Sequence, residues 1–464
     1  MGIYEDLYPV FYPESVAVVG ASNQFRKSGF FCMESIIYRG KYKGKIYPIN
    51  HSAPEVFGLK SYPTLSDVPD KIDLVIITVP APAVLDVIEE CGKCNVKGAV
   101  IITAGFKEAE AETGKQLQED IIKTANHYGI KIIGPNTFGV VNPLADLNAS
   151  FTSTLSDMEK GDIAFISQSG GMCHFFSYIT MDDNIGLSKV MSLGNRCNVE
   201  FVDLLKFLEK EDATKVIALY LEGIDNPRGL FEAAKKIVRI KPVVAYKGGS
   251  AKGMDHLTCS HTGTLAGNFE MYNGMFRQAG IALAENSTEL FDIAKIFSLA
   301  RTPQSKRIAV CSPIAGPGIV MTDTLIKNGM DITKFTDHTI NRLTKLLPPF
   351  TFRYNPIDMP FTQDIETISA VIDCVLADED VDSLGFIMCQ QEMFTPLNSG
   401  IAHALVGAKN KYNKPVAVAM IAQAYKFHSE RLYLQNNSIP VYPTPERTAR
   451  ALTALSEYGE IIHS

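Results

Sequence analysis

A histidine in a small-residue loop, a strand-end carboxylate and a glycine-rich strand-to-helix turn are the residues here whose types suit chemistry on a phosphate. His261 stands in SHTGTLAG, where Ser, Thr and Gly let an imidazole reach a phosphate without crowding. A neutral imidazole is a good nucleophile near pH 7. Upstream, YLEGI puts Glu222 at the end of an apolar run. A carboxylate there either accepts the imidazole NH, fixing the tautomer and stabilising charge on the ring, or simply faces water. ISQSGG at 166–171 follows a strand and opens a helix, with Ser169 placed to cap it and the NH groups of Gly170 and Gly171 directed outward. Free NH groups at the positive end of a helix dipole make an anion site. The turn also resembles a hydrolase serine elbow, but it reads SQSGG rather than GxSxG and no acid–His pair follows it. His256, in the same loop as His261, reads as structural or surface.

A second group lies near the N-terminus. VAVVGASNQFRKSG ends a strand at Gly20, and small residues follow before Arg26 and Lys27 at a helix start. Such a turn lets a backbone approach a phosphate closely, although many α/β folds need the glycine only to turn. A dinucleotide site calls for an acid at the end of the second strand. Here that strand ends in Asn50 and His51, and the full GxGxxG is missing, which disfavours a nicotinamide oxidoreductase. Arg26 and Lys27 offer charge for a ligand with several phosphates, such as CoA, or form a solvated pair. Pro80 in TVP and Asn136 in GPN fall at later strand ends on the ligand-facing edge. Pro80 packs on an adenine or turns the chain; Asn136 hydrogen-bonds a polar linker or does the same. Cys91 and Cys94 form a lone CxxC without the third and fourth ligands that zinc needs.

These residues must be held by short apolar strands alternating with amphipathic helices. VAVVG, KIYPIN, DLVIITVP, GAVIITAG and IKIIGPN are apolar on both faces, the mark of a parallel sheet covered by helices. The alternation gives a doubly wound α/β domain over about residues 1–150. It restarts at DIAFISQSGG and again at RIAVCSPIAGPG, so three α/β units are expected, with boundaries near 150 and 302. Ligands in such sheets sit at the carboxyl ends of strands, where the Gly, Ser and Asn of this chain cluster.

Bulk properties narrow the function classes. The 464 residues are 46% hydrophobic and 20% charged, as in a soluble globular protein, and the net charge of −7 lacks the basic stripe of a nucleic-acid binder. The start MGIYEDLYPV carries acids where a secretory signal carries Lys or Arg, and the longest apolar stretch is broken by Pro80, Pro82 and Asp86. Nine scattered cysteines suit a reducing cytosol, so the expected location is cytoplasmic.

The ordered set VAVVGAS, IGPNTFG, SQSGG, SLGN, YLEGI and SHTGTLAG resembles the α subunit of ADP-forming (NDP-forming) acyl-CoA synthetases, the acetate–CoA ligases, which are related to succinyl-CoA synthetase. The resemblance continues through AGPG, NPIDM and IPVYPTPERTARAL and so covers essentially the whole chain. It implies a Rossmann-like CoA-binding domain over 1–150 followed by two flavodoxin-like (succinyl-CoA synthetase-like) α/β domains, one over 151–301 that bears the phosphohistidine and a ligase domain over 302–464. It implies that acyl-CoA and phosphate give an acyl phosphate and CoA, that the acyl phosphate phosphorylates a histidine, and that the phosphohistidine converts ADP to ATP, all reversibly. His261 is then the nucleophile and Glu222 orients it. Ser169, Gly170 and Gly171 cradle the phosphate. Gly20, Ser22 and Lys27 hold coenzyme A, with Pro80 and Asn136 completing its pocket.

The chain lacks a GxxxxGK[ST] loop and room for an ATP-grasp module. The resemblance therefore implies a separate ATP-grasp β subunit that binds ADP and Mg²⁺, in an α₂β₂ assembly. Asn198 stands where the family pattern leads one to expect an acid, a change that would bear on the oligomer or the acyl pocket. The third domain offers no acid–base constellation and would serve subunit contact and the shape of the acyl site. The competing expectation is a CoA or acyl-CoA binding module without catalysis.

Overall fold

Every residue of β1 (Ser15–Val19) is buried, so neither face of this strand meets water and helices must cover both. It lies inside a five-stranded parallel sheet with β2 (Lys45–Ile49), β5 (Leu74–Ile77), β6 (Gly98–Ile101) and β7 (Lys131–Ile133), in the order β2-β1-β5-β6-β7. The hairpin β3 (Glu55–Val56) and β4 (Leu59–Lys60) stands apart from it. Helices α1 (Ile3–Phe11), α2 (Ser28–Ile37), α3 (Val84–Lys93) and α4 (Glu112–Tyr128) belong to this part of the chain. The strand order reverses between β1 and β5, and the crevice of a doubly wound sheet opens at such a reversal. Gly20 follows β1 and Pro80 follows β5, so both stand at that point.

This computed structural model describes residues 2–109, 112–249, 269–349, 351–360, 362, 364–390, 395–423 and 425–463. His256 and His261 fall outside the described residues. By compactness the chain divides into two units, Met1–Leu283 and Ala284–Ser464.

The first unit contains a second sheet built on β10 (Lys160–Ser167), whose last five residues are buried. Its order is β14-β13-β12-β10-β11-β8-β9, using β8 (Gly139–Asn142), β9 (Leu147–Ser150), β11 (Leu187–Ser192), β12 (Val216–Leu221), β13 (Val243–Lys247) and β14 (Ala282–Leu283). The strands from β11 to β14 are parallel, while β8 and β9 add an antiparallel pair at the edge. That pair precedes the break expected near 150, yet it bonds into the second sheet through Val140 and Val141 opposite Met191 and Val190. Helices α5 (Gly170–Asp182), α6 (Phe201–Lys210) and α7 (Pro227–Ile237) complete the βαβ units. The order reverses between β10 and β12, so the ends of those two strands flank a second crevice.

The second unit holds a parallel sheet ordered β16-β15-β18-β19-β20, with β17 also paired to β15. Its strands are β15 (Arg307–Ser312), β16 (Asp331–Ile332), β17 (Ile357–Asp358), β18 (Ser383–Cys389), β19 (Val416–Ile421) and β20 (Val441–Tyr442). The helix Ser287–Leu299, which precedes the break expected at 302, lies in this unit, and its residues from Glu289 to Phe297 are all buried. Its buried charges explain the placement. Arg447 donates twice to Asp292 at 2.7 Å, Arg450 donates to Glu289, and Lys295 donates to the Val441 carbonyl at 2.9 Å. A charge that far from water persists only with such partners.

Candidate active site

At the end of β10 the backbone is shaped by a serine. Ser167 Oγ donates to the Ser169 carbonyl at 2.8 Å and accepts from the Ser169 NH at 3.1 Å. Ser169 caps α5 in extended conformation, but its hydroxyl makes no capping bond. The first NH to bond back to the cap is that of Cys173, to the Ser169 carbonyl at 3.2 Å. The NH groups of Gly170, Gly171 and Met172 thus have no acceptor within the helix. A Cβ on Gly171 would meet nothing closer than Ser169 Oγ at 3.9 Å, so the nest is open on that side.

Gln168 joins this nest to the end of β12. It is buried, and its Oε1 accepts from the NH groups of Glu222 and Gly223 at 2.8 and 3.0 Å. Its own NH donates to the Tyr220 carbonyl at 3.1 Å. Glu222 is buried and accepts from the Tyr220 hydroxyl at 3.1 Å. Burial, followed by the charge of Glu222, pushes the Tyr220 phenol far above its usual range. Gln168 Nε2 is buried without a partner among the described residues.

The nest opens into a cleft of about 390 Å³ whose walls include Asn136, Phe138, Phe151, Gln168, Ser169, Gly170, Gly171, His174 and Asn195. Four of the residues singled out from sequence, Asn136, Ser169, Gly170 and Gly171, are therefore brought together. Asn136 adopts φ +55° and donates its backbone NH to the Thr103 carbonyl at 2.9 Å. Its loop packs against the SLGN loop. Gly194 has φ +55°, and a Cβ there would lie 2.3 Å from the Pro135 carbonyl oxygen. The Asn195 NH donates to that same oxygen at 2.9 Å. Asn198 lies behind this loop, not on the cleft wall. Its side chain accepts from the Ile132 NH at 2.9 Å and donates to the Ile130 carbonyl at 2.8 Å. An ionised acid cannot make the second bond, which accounts for the amide at this position.

Gly20, Ser22, Lys27 and Pro80 stand at the first crevice and do not line the cleft. Gly20 has φ +88°, and a Cβ on Gly29 would sit 1.9 Å from the Gly20 carbonyl oxygen. Gly29 thus provides the close helix–strand packing that the last glycine of a GxGxxG run provides, at a longer spacing that sequence reading missed. Asn50 donates to the Ala21 carbonyl at 2.7 Å while its Oδ1 accepts from the NH groups of Ser52 and Ala53. That amide holds the turn where a nicotinamide enzyme keeps an acid. Ser22 is buried and accepts from the Gln24 NH at 3.0 Å. Lys27 is the exposed N-cap of α2, beside an exposed Arg26 at φ +77°. Pro80 is exposed and begins a short turn. Cys91 is buried, and burial pushes its thiol above the usual range. Among the described residues no group of three or more His, Cys, Asp and Glu side chains is placed to hold a metal ion.

His174, on α5 beyond the nest, is the cleft residue that sequence reading did not single out. Burial lowers the pKa of its imidazole, and its Nε2 is paired with Thr152 Oγ1.

Residues 14–143 match the model of a CoA binding domain, and residues 160–297 match that of a succinyl-CoA ligase like flavodoxin domain. Over 456 residues the chain is 37% identical to the acetate–CoA ligase [ADP-forming] II subunit alpha of Pyrococcus furiosus, an alignment covering 97% of each chain. The chain belongs to the ADP-forming acetate–CoA ligase family. It is 35% identical to the acetate–CoA ligase [ADP-forming] I of Archaeoglobus fulgidus, but spans only 64% of that longer member. A solved member of the same family, the dinucleotide forming acetyl-coenzyme A synthetase 1 of Ca. Korarchaeum cryptofilum in complex with phosphate and ADP, is 37% identical. It superposes with a TM-score of 0.90 over 98% of this chain and 97% of that one. Family membership and the α/β fold agree with the resemblance drawn from the order of the motifs.

Proposed function

We propose that this chain is the CoA-binding catalytic α subunit of an NDP-forming acyl-CoA synthetase, interconverting acyl-CoA, ADP and phosphate with a carboxylic acid, CoA and ATP. The observation that carries the reading is the clamp by which Gln168 ties the open helix start at Ser169–Gly171 to Glu222, beside a cleft bordered by Asn136. Sequence likeness along nearly the whole α-type relative supports it.

In this mechanism phosphate rests on the NH groups of Gly170 and Gly171, which need no reorganisation as charge develops. A phosphate oxygen attacks the thioester carbon, the C–S bond breaks, and CoA leaves as thiolate. His261 then attacks phosphorus and the carboxylate departs. Glu222 fixes the imidazole tautomer and offsets the positive charge of the ring. The NH groups at the start of α2, with Lys27 and Arg26, suit the phosphates of CoA, since an anion is favoured at a helix N-terminus; Gly20 and Ser22 form the turn beneath them, and Pro80 and Asn136 border the rest of its path.

ADP and Mg²⁺ belong on a separate ATP-grasp β subunit in this reading. The described residues here offer no cation cluster, and the sequence has no GxxxxGK[ST] loop. The first sheet would hold CoA, the sheet built on β10 would carry the phosphohistidine, and the second unit, Ala284–Ser464, would form the ligase domain that meets the partner. No helix among the described residues is long and apolar enough to cross a membrane. The described cysteines are free thiols, which suits the cytoplasm.

The test is ATP formation from ADP, phosphate and an acyl-CoA by the complex purified through this chain. ATP formation dependent on the acyl-CoA supports catalysis. CoA binding without ATP formation, with the partner present, returns the non-catalytic binding module. Within the mechanism, Glu222→Gln keeps the shape but removes the charge, so the rate of histidine phosphorylation in a single turnover should fall about 100-fold. An unchanged rate would leave Glu222 a structural acid.

A further inference from the structure

Residues two apart share a face of a strand, so Glu222, one step past β12, continues the face that carries Tyr220. The Tyr220 hydroxyl donates to Glu222 Oε1 at 3.1 Å. Its ring is buried and packs against Phe176 and Tyr246, with centroids 6.2 and 5.7 Å away. Burial, with the charge of Glu222, keeps the proton on the phenol, so the hydroxyl acts as a donor throughout the neutral range. The neighbouring strand adds a second observation. Gly248 follows β13 and begins the stretch that runs on to His261. Its NH donates to the Leu221 carbonyl at 2.8 Å, and its carbonyl accepts from Lys247 Nζ at 2.6 Å. A Cβ on Gly248 would lie 2.5 Å from the Tyr220 hydroxyl oxygen and 3.0 Å from Cζ. A side chain there would push the hydroxyl off Glu222.

We propose that Tyr220 is a positioning residue for histidine phosphorylation: its hydroxyl sets the rotation of the Glu222 carboxylate, and Gly248 is glycine so that the hydroxyl keeps its place. This rests on the role given to Glu222 above and names what makes that role work. In the step concerned, an imidazole nitrogen bonds to phosphorus, the bond from phosphorus to the acyl oxygen breaks, and the carboxylate leaves with the electron pair. The ring, now cationic, keeps its other N–H towards Glu222. A carboxylate on a flexible two-carbon stem serves this step only if its oxygens are fixed by further bonds, and a hydrogen bond to an ionised group is among the strongest available. The backbone of Glu222 is already held by Gln168 Oε1 at 2.8 Å. Loss of the phenol hydroxyl therefore loosens the carboxylate and leaves the main chain in place.

The test uses the native complex with its partner, without ADP. The probe is whichever of acetyl, isobutyryl and benzoyl phosphate, labelled in the phosphoryl group, labels the wild-type chain fastest, so thioester cleavage is bypassed. Tyr220→Phe should slow labelling about 10-fold, while its affinity for CoA and its melting curve stay those of the wild type. In a Glu222→Gln background the same change should alter the rate less than about 2-fold, because the two act as one unit. Gly248→Ala should also slow labelling about 10-fold, and adding it to Tyr220→Phe should bring little further loss. Labelling of Tyr220→Phe at the wild-type rate overturns the proposal. So does an equal slowing in the wild-type and Glu222→Gln backgrounds, which would make Tyr220 a core residue acting on its own. If Tyr220→Phe fails to fold, Gly248→Ala with and without Glu222→Gln decides by the same criterion. A Glu222→Gln complex that labels at the wild-type rate, or a wild type that takes no label from any of the three, removes the underlying reading, an outcome distinct from Tyr220→Phe alone being silent.

Discussion

Replacing His261 with alanine should lower ATP formation by roughly three orders of magnitude or more, while the complex still binds CoA. The imidazole is the covalent carrier between acyl phosphate and ADP in the proposed mechanism. Without it the nest can still bind phosphate, and acyl-CoA can still undergo thioester cleavage. Acyl phosphate would form but could not hand its phosphoryl group on. Steady-state ATP formation and CoA binding by calorimetry, on the same preparation, check the two halves of this expectation. Loss of CoA binding in a folded variant would contradict the role given to His261, because a carrier residue has no reason to hold the cofactor.

The second large effect is on stability. Lys189 and Glu211 form an ion pair whose side chains are 0% and 4% exposed. Tyr12 donates its hydroxyl to the same carboxylate, Thr214 Oγ1 donates to its other oxygen at 2.6 Å, and Lys189 also donates to Tyr12 Oη at 3.0 Å. Lys241 Nζ closes the end of α6 by donating to the carbonyls of Leu208 and Glu211. The cluster links the segment after α1 to β11 and α6, and hence both sheets of the first unit. Glu211→Leu leaves the Lys189 ammonium buried and unpaired, which costs about 3–5 kcal/mol. The melting transition of this unit should fall by about 10 °C.

The same cluster sets a pH dependence. Burial alone would raise the Glu211 carboxyl pKa, but the Lys189 ammonium and the Thr214 and Tyr12 hydroxyls outweigh it and hold the group below its ordinary value. Its folded pKa therefore lies under the unfolded one. Its stabilisation is complete above the usual glutamate range, near pH 4.3, and is lost as pH falls through the lower folded value. The gap in Tm between wild type and Glu211→Leu should be full at pH 7 and close in acid. A gap that widened as pH fell would contradict the pairing.

Central strands were legible in the sequence because burial on both faces writes continuous apolar runs, as in β1 and β12. The open helix start was legible because Ser169–Gly170–Gly171 is contiguous and follows such a run. What escaped depended on contacts distant in sequence. The helix Ser287–Leu299 reads as the tail of the preceding unit, but Arg447 and Arg450 claim it for the next. The pair β8–β9 precedes an expected boundary, yet its partner strand is β11. Edge strands such as β16, two residues long, carry too little pattern to register. At the site, the clamp by Gln168 was invisible because a glutamine in SQSGG shows no sign of which NH groups it will meet. His174 looked like any histidine on a helix; only Phe138 and Phe151, brought beside it by β8, β9 and their turns, place it on a wall of the cleft. Gly29 had a signal, a glycine just inside the helix after the basic pair, but its spacing from Gly20 departs from the familiar motif.

Whether His261 carries a phosphoryl group is tested by looking for that group itself. The complex purified through this chain is incubated with labelled phosphate and an acyl-CoA, and the chains are separated after quenching. Acid-labile label is expected on this chain in the wild type, dependent on the acyl-CoA, and none in His261→Ala. An unlabelled chain in a preparation that binds CoA and contains the partner, or label that persists in His261→Ala, would contradict it.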